Sequence, residues 1–116
     1  CMADCLFCRI VAGEIPAKLA KRSADALAFH DIDPKAPVHV LVIPTRHVPA
    51  VRAATGPEGE ALLGRLLAFS AEVARELGLD AKGYRIVTNT GPDAGQSVDH
   101  LHLHVLGGRK LTWPPG

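Results

Sequence analysis

The sequence predicts an α+β domain: a mostly antiparallel sheet of about five short strands, one long helix and one short helix. Three observations carry this. Val38–Ile43, Tyr84–Asn89 and His100–Leu106 are short runs rich in β-branched or alternating apolar residues. They lack the helical crossover between each pair that a parallel sheet would need. One long stretch, Thr55 to Gly78, instead carries its leucines at helical spacing.

The elements follow in order. Asp4–Val11 is a short helix with Asp4 as its cap, Leu6, Phe7 and Ile10 as its apolar face and Gly13 as its stop. Ala17–Arg22 is a weakly alternating strand, and Ala26–His30 is a better one. Asp33 precedes Pro34, which breaks the second strand. Val38–Ile43, closed by Pro44, is the strongest strand of the chain. Thr55 and Glu58 have capping-box spacing at the start of the long helix. Leu62, Leu66, Val73 and Leu77 mark its buried stripe, with Leu63, Leu67 and Ala74 beside them, and Gly78 ends it. Tyr84–Asn89 is a strand, Asn89–Gly95 is a turn-rich loop, and His100–Leu106 is the last strand. The 116 residues fit a single domain over 1–116. A chain of this size buries roughly two-thirds of the surface its unfolded form exposes, so it needs no disulfide framework.

Composition narrows the function classes. Hydrophobic residues make up 47% and charged residues 22%, with a net charge of +1. That balance gives no electrostatic case for nucleic acid or a membrane surface. The apolar runs are far shorter than the roughly 18 residues of a membrane span. No charged n-region followed by an apolar stretch opens the chain. There are three cysteines, of which Cys5 and Cys8 are spaced C-x-x-C. An odd total with one close pair points to a reduced, cytoplasmic setting.

The chemistry sits in His100-Leu-His-Leu-His104, which holds three of the six histidines. On a strand His100, His102 and His104 share one face, and Leu101, Leu103 and Val105 share the other. Such a row suits metal coordination or phosphoryl chemistry. Alternate residues lie roughly 6.5–7 Å apart, which makes convergence on one ion awkward. A middle nucleophile flanked by two donors suits attack on phosphorus. No G-x-G-x-x-G or P-loop pattern is present, so a bound nucleotide is held in another way.

The segment Gln96-Ser-Val-Asp-His-Leu-His-Leu-His-Val-Leu-Gly-Gly-Arg109 resembles the signature of the histidine-triad (HIT) superfamily. Gly13–Pro16, Leu27–Ile32, Pro34–Pro37, Leu41–Pro44 and Trp113–Gly116 resemble the histidine triad nucleotide-binding branch, in the same order. The resemblance implies a HIT-like fold, a homodimer whose sheet continues across the two-fold axis, and purine nucleoside monophosphates as the recognised group. It implies hydrolysis of the P–N bond of AMP or GMP conjugates, with acyl-adenylates as a further substrate and no cofactor required for the chemistry. Cleavage of dinucleoside polyphosphates and non-catalytic AMP binding are the alternatives. His102 matches the nucleophile, His104 and His100 the other triad positions, and His47 an upstream active-site histidine. Asn89 and Ser97 match phosphate or leaving-group contacts, and Gly95 and Gln96 substrate-binding positions of the same loop. Asp31 matches the ribose-binding acid, and its carboxylate can accept two hydroxyl hydrogen bonds. Leu6, Phe7, Ile10, Phe29 and Ile32 match the apolar base pocket.

For Cys5 and Cys8 three readings stay open. The resemblance offers a zinc set with His47 and His100, a reasonable tetrahedral combination. Buried apolar filling and a redox dithiol are the others. Asp99 stands where relatives often carry an aromatic residue. Strand alternation turns it away from the histidines.

Overall fold

The computed structural model describes residues 4–116. Helix α1 spans Leu6–Val11, followed by strands β1 (Leu19–Arg22), β2 (Ala26–His30) and β3 (Val38–Pro44). Helix α2 spans Gly56–Glu76, and β4 (Tyr84–Thr88) and β5 (Leu103–Gly107) complete the sheet. Two single turns of tight helix, Val51–Ala53 and Pro92–Ala94, were not anticipated. The strand order is β1-β2-β3-β5-β4, and each neighbouring pair is antiparallel. The α+β prediction therefore holds. Among the described residues, no helix is long and apolar enough to cross a membrane.

Both faces of the central strands are covered. Ala28, Val40, Val42, Leu103 and Val105 pack against Leu62, Leu66, Phe69 and Val73 of α2. The alternate residues Leu27, Phe29, Leu41 and Ile43 pack with Phe7 of α1 on the other face. This double burial is why β3 reads as a continuous apolar run rather than an alternating one. On α2 the buried positions Leu62, Leu66, Phe69 and Val73 recur at helical spacing, and the buried Ser70 hydroxyl donates to the Leu66 carbonyl at 2.8 Å. Leu67, expected beside this stripe, faces solvent instead. Leu66 is fully buried. Leu66→Ala should therefore cost about 2–5 kcal/mol through lost burial and a residual cavity. The check is a lowered urea midpoint at unchanged slope.

Three local expectations need correction. The cap of α1 is Cys5, whose sulfur accepts the Cys8 N–H at 3.4 Å, not Asp4. Thr55 does occupy the cap position of α2, but its side chain makes no capping bond. The start of α2 relies on close packing instead: a Cβ at Gly59 would lie 2.2 Å from the Ala54 carbonyl carbon. The last strand begins at Leu103, not His100, because Leu101 donates its N–H to the Val48 carbonyl rather than entering the β ladder.

Candidate active site

The fold separates the histidines into two groups. His102 and His104, with His30 at the end of β2, line a cavity of about 300 Å³ between α1, β2 and the 97–98 segment. Leu6, Phe7, Ile10, Phe29, Asp31, Ile32 and Ser97 line the same cavity, so these expected pocket residues do converge. Ile15, Pro16, Ala17, Leu41 and Val98 also line it and had no sequence signal of their own. The ring of Phe7 stands edge-on to His102, with centroids 5.2 Å apart, and to Phe29 at 5.6 Å. Helix α1 thus walls the cavity and orients the middle histidine together.

Hydrogen-bond partners decide which nitrogen carries each proton. The Pro44 and His100 carbonyls can only accept, and the Lys35 amide can only donate. His102 therefore donates Nδ1–H to the His100 carbonyl at 2.7 Å and leaves Nε2 with its lone pair. At His39, Nδ1 accepts the Lys35 N–H at 3.0 Å, which puts the proton of the neutral ring on Nε2. That Nε2–H donates to Nδ1 of His104 at 2.9 Å. His104 then carries its own proton on Nε2. Burial holds both rings neutral. It lowers the pKa of His39, and with the nearby His102 and His39 it lowers that of His104 to about 4. A carboxylate oxygen of Asp31 lies 3.4 Å from His39 Nε2. The other Asp31 oxygen accepts the Asp33 N–H at 2.9 Å, shaping the turn after β2.

His39 is the functional residue that the sequence reading missed. Its signal was register. On β3, Leu41 is paired with His104. His39, two residues earlier, is then a diagonal neighbour on the same face.

His100 departs from the expected row. The strand does not reach it, so alternation does not set its direction. Its ring is fully buried with Cys5, Cys8 and His47, away from the cavity. His100 Nε2–H donates to the Pro44 carbonyl at 3.0 Å, so Nδ1 turns its lone pair to the sulfurs. That Nδ1 lies 3.4 Å from Cys5 Sγ and 3.6 Å from Cys8 Sγ, and His47 Nδ1 lies 3.4 Å from Cys8 Sγ. Zinc bound tetrahedrally at about 2.3 Å to sulfur and about 2.05 Å to nitrogen requires sulfur–nitrogen separations of about 3.6 Å. All four ligand atoms lie within 4.8 Å of one another. The donor set and its spacing fit a zinc ion. Metal loading requires both cysteines as thiolates.

The loop residues divide as well. Ser97 is in the cavity lining, but Asn89, Gly95 and Gln96 are not. Gln96 braces its own loop. Its Oε1 accepts the Gly91 N–H at 2.9 Å, and its Nε2 donates to the Pro49 and Val98 carbonyls at 2.8 and 3.0 Å. The N–H groups of Gly91, Gly95 and Gln96 are all engaged inside the loop. They are therefore not open donors for a phosphate.

A family model for the HIT domain matches residues 12–111. The chain belongs to the HIT family. An uncharacterized HIT-like protein of Synechocystis sp. is 50% identical over 113 residues, covering 97% of each chain. A crystal structure of a HIT family hydrolase from Legionella pneumophila superposes with a TM-score of 0.93 at 44% identity, covering 97% of this chain and all of that one. The histidine triad nucleotide-binding protein of Candida albicans superposes with a TM-score of 0.81 at 32% identity, over 96% of this chain and 83% of that one. The HIT match begins at residue 12, so it spans His39, His47, His100, His102 and His104 and leaves the thiol pair outside.

Proposed function

We propose that this HIT protein is a hydrolase of purine nucleoside phosphoramidates, cleaving the P–N bond between AMP or GMP and an amine. One observation carries the reading. His102 offers an unprotonated Nε2 beside a neutral His104 with Nε2–H, in a cavity that has apolar walls and the Asp31 carboxylate. A nucleophile, a donor for phosphate oxygen, a slot for a flat base and an acceptor for ribose hydroxyls are the parts this chemistry needs. The names of the Legionella and Candida proteins support the same direction, hydrolysis and nucleotide binding.

In the proposed reaction, His102 Nε2 attacks the α-phosphorus in line with the departing nitrogen. A nucleotidyl-histidine forms, and the P–N bond breaks. His104 Nε2–H meets the charge that spreads over the non-bridging oxygens. The nitrogen takes up a proton as it leaves, with the Ser97 hydroxyl in the cavity lining to relay it. Water then attacks phosphorus, releases the nucleoside monophosphate and returns His102 to its starting form.

Turnover of a fluorogenic AMP–amine conjugate tests the reading. Release of AMP and free amine is expected. Tight AMP binding without turnover would make the protein a nucleotide-binding regulator instead. Faster cleavage of a dinucleoside polyphosphate would assign the other hydrolytic activity.

Two further readings belong here. Zinc on Cys5, Cys8, His47 and His100 would pin α1 to the segment leading into His102, a structural role with no step in the reaction. Reduced protein should carry about one zinc per chain by elemental analysis, and a chelator should lower its melting temperature. Well under one zinc per chain would remove that assignment. The metal set needs both thiols reduced, which a cytoplasmic setting supplies. Among the described residues both edge strands, β1 and β4, lack a strand partner, and a homodimer that extends the sheet would use one of these edges.

A further inference from the structure

The chemistry above leaves Asp99 without a task. Its expected direction, away from the histidines, assumed a strand that began at His100. The strand begins at Leu103, so alternation does not apply to Asp99. Asp99 lines a second cavity of about 400 Å³ together with Asp4, Cys5, His47 and Ser97. Leu6, Ser97 and Val98 line both this cavity and the nucleotide cavity. The two cavities are therefore neighbours, with Ser97, the residue proposed to relay a proton to the departing nitrogen, facing both. A volume of this size is that of a small-ligand pocket.

Its electrostatic character is one-sided. Asp4 and Asp99 supply two carboxylates, and no Lys or Arg lines the space. Among the described residues, neither aspartate enters an ion pair. The chain as a whole carries a net charge of +1, so this negative compartment is a local feature.

We infer that this second cavity receives the amine leaving group, and that Asp4 and Asp99 make it selective for amines that carry a further positive charge. The inference rests on the phosphoramidate reading. The bond changes are those already given: the His102 Nε2–P bond forms, the P–N bond breaks, and one water enters over the two steps. The nitrogen collects both water protons and departs as an ammonium ion, while the water oxygen stays on phosphorus. Two carboxylates beside the departing nitrogen favour the ammonium product. A second cation at the far end of the amine strengthens that attraction, and a carboxylate there opposes it.

Three adenosine phosphoramidates test this, made from butylamine, diaminobutane and aminobutyrate through their primary amines. They match in length and differ in the charge at the far end. In the wild type, kcat/KM should fall in the order diaminobutane, butylamine, aminobutyrate, with about tenfold between the extremes. The Asp4→Asn/Asp99→Asn double variant should collapse that ratio toward unity, and added salt should shrink it in the wild type. A ratio taken on one preparation is independent of the fraction folded. Affinities of the three compounds for the His102→Ala variant, read by displacement of a fluorescent AMP analogue, should follow the same order without chemistry. Equal kcat/KM for all three, or an order unchanged in the double variant, overturns the inference alone. No turnover of any of the three, with AMP still bound, overturns the phosphoramidate reading and the inference with it.

Discussion

His102→Ala should lose hydrolysis by about four orders of magnitude or more while still binding AMP. The expectation follows from the position of the lone pair. The His100 carbonyl takes the Nδ1 proton at 2.7 Å and leaves Nε2 free toward the cavity. The neighbouring triad ring offers no such lone pair: His104 carries its proton on Nε2, and its Nδ1 accepts from His39. Loss of one buried ring also removes the edge-on contact with Phe7, so some stability is lost too. The binding measurement separates the two effects. AMP titrated against the variant should give a dissociation constant within a few-fold of the wild type, because base and ribose contacts lie elsewhere in the cavity. Turnover retained in this variant would remove His102 as the nucleophile.

His39→Leu should lower kcat by about 10²–10³-fold with a smaller change in KM. The physical reason is the tautomer of His104. His39 Nε2–H is the donor that keeps Nδ1 of His104 an acceptor, and it thereby holds the His104 proton on Nε2. Without it, the His104 proton is free to move to Nδ1. Nε2 then presents a lone pair to a phosphate oxygen, which replaces attraction by repulsion at the moment charge develops. Wrong-tautomer effects in a catalytic histidine reach about 10⁴-fold where the ring is the base itself. A ring that only stabilises charge should lose less. His39→Gln is the informative companion, since its amide can still donate to Nδ1. Partial rescue by Gln over Leu, with proton NMR showing the His104 Nε2–H in the wild type, would support this assignment. Equal kcat in the wild type and both variants would sink it.

The fold was legible because its elements are locally consistent. β2 lies where its apolar run predicted, β3 ends one residue later than expected, and α2 begins right after the predicted Thr55 cap. Gly78, at φ +77°, follows the end of α2 in the left-handed conformation that favours glycine. The misplaced details lie where tertiary contacts override local pattern. The Cys5 sulfur took the α1 cap because it also faces His100 and the Cys8 amide. The last strand shortened because the Val48 carbonyl captured the Leu101 N–H at 2.6 Å.

That shortening is what separates the histidine row. Spacing alone aligned His100, His102 and His104 on one face. Periodicity is a property of a strand, and the chain is not a strand until Leu103. His100 consequently turns to the thiols and His102 to the cavity, and Asp99 is released from the face that alternation gave it. Residue types and their order placed three histidines in one segment suited to metal or phosphorus chemistry, while the apolar slot and the thiol–histidine set came from the family resemblance. Three things lay outside their reach: which nitrogen of each ring bears the proton, that His39 stands behind His104, and that Ser97 lines two neighbouring cavities. Each depends on contacts between segments far apart in the chain, such as His39 with His104 and His100 with Pro44, which only strand register and packing bring within hydrogen-bond distance.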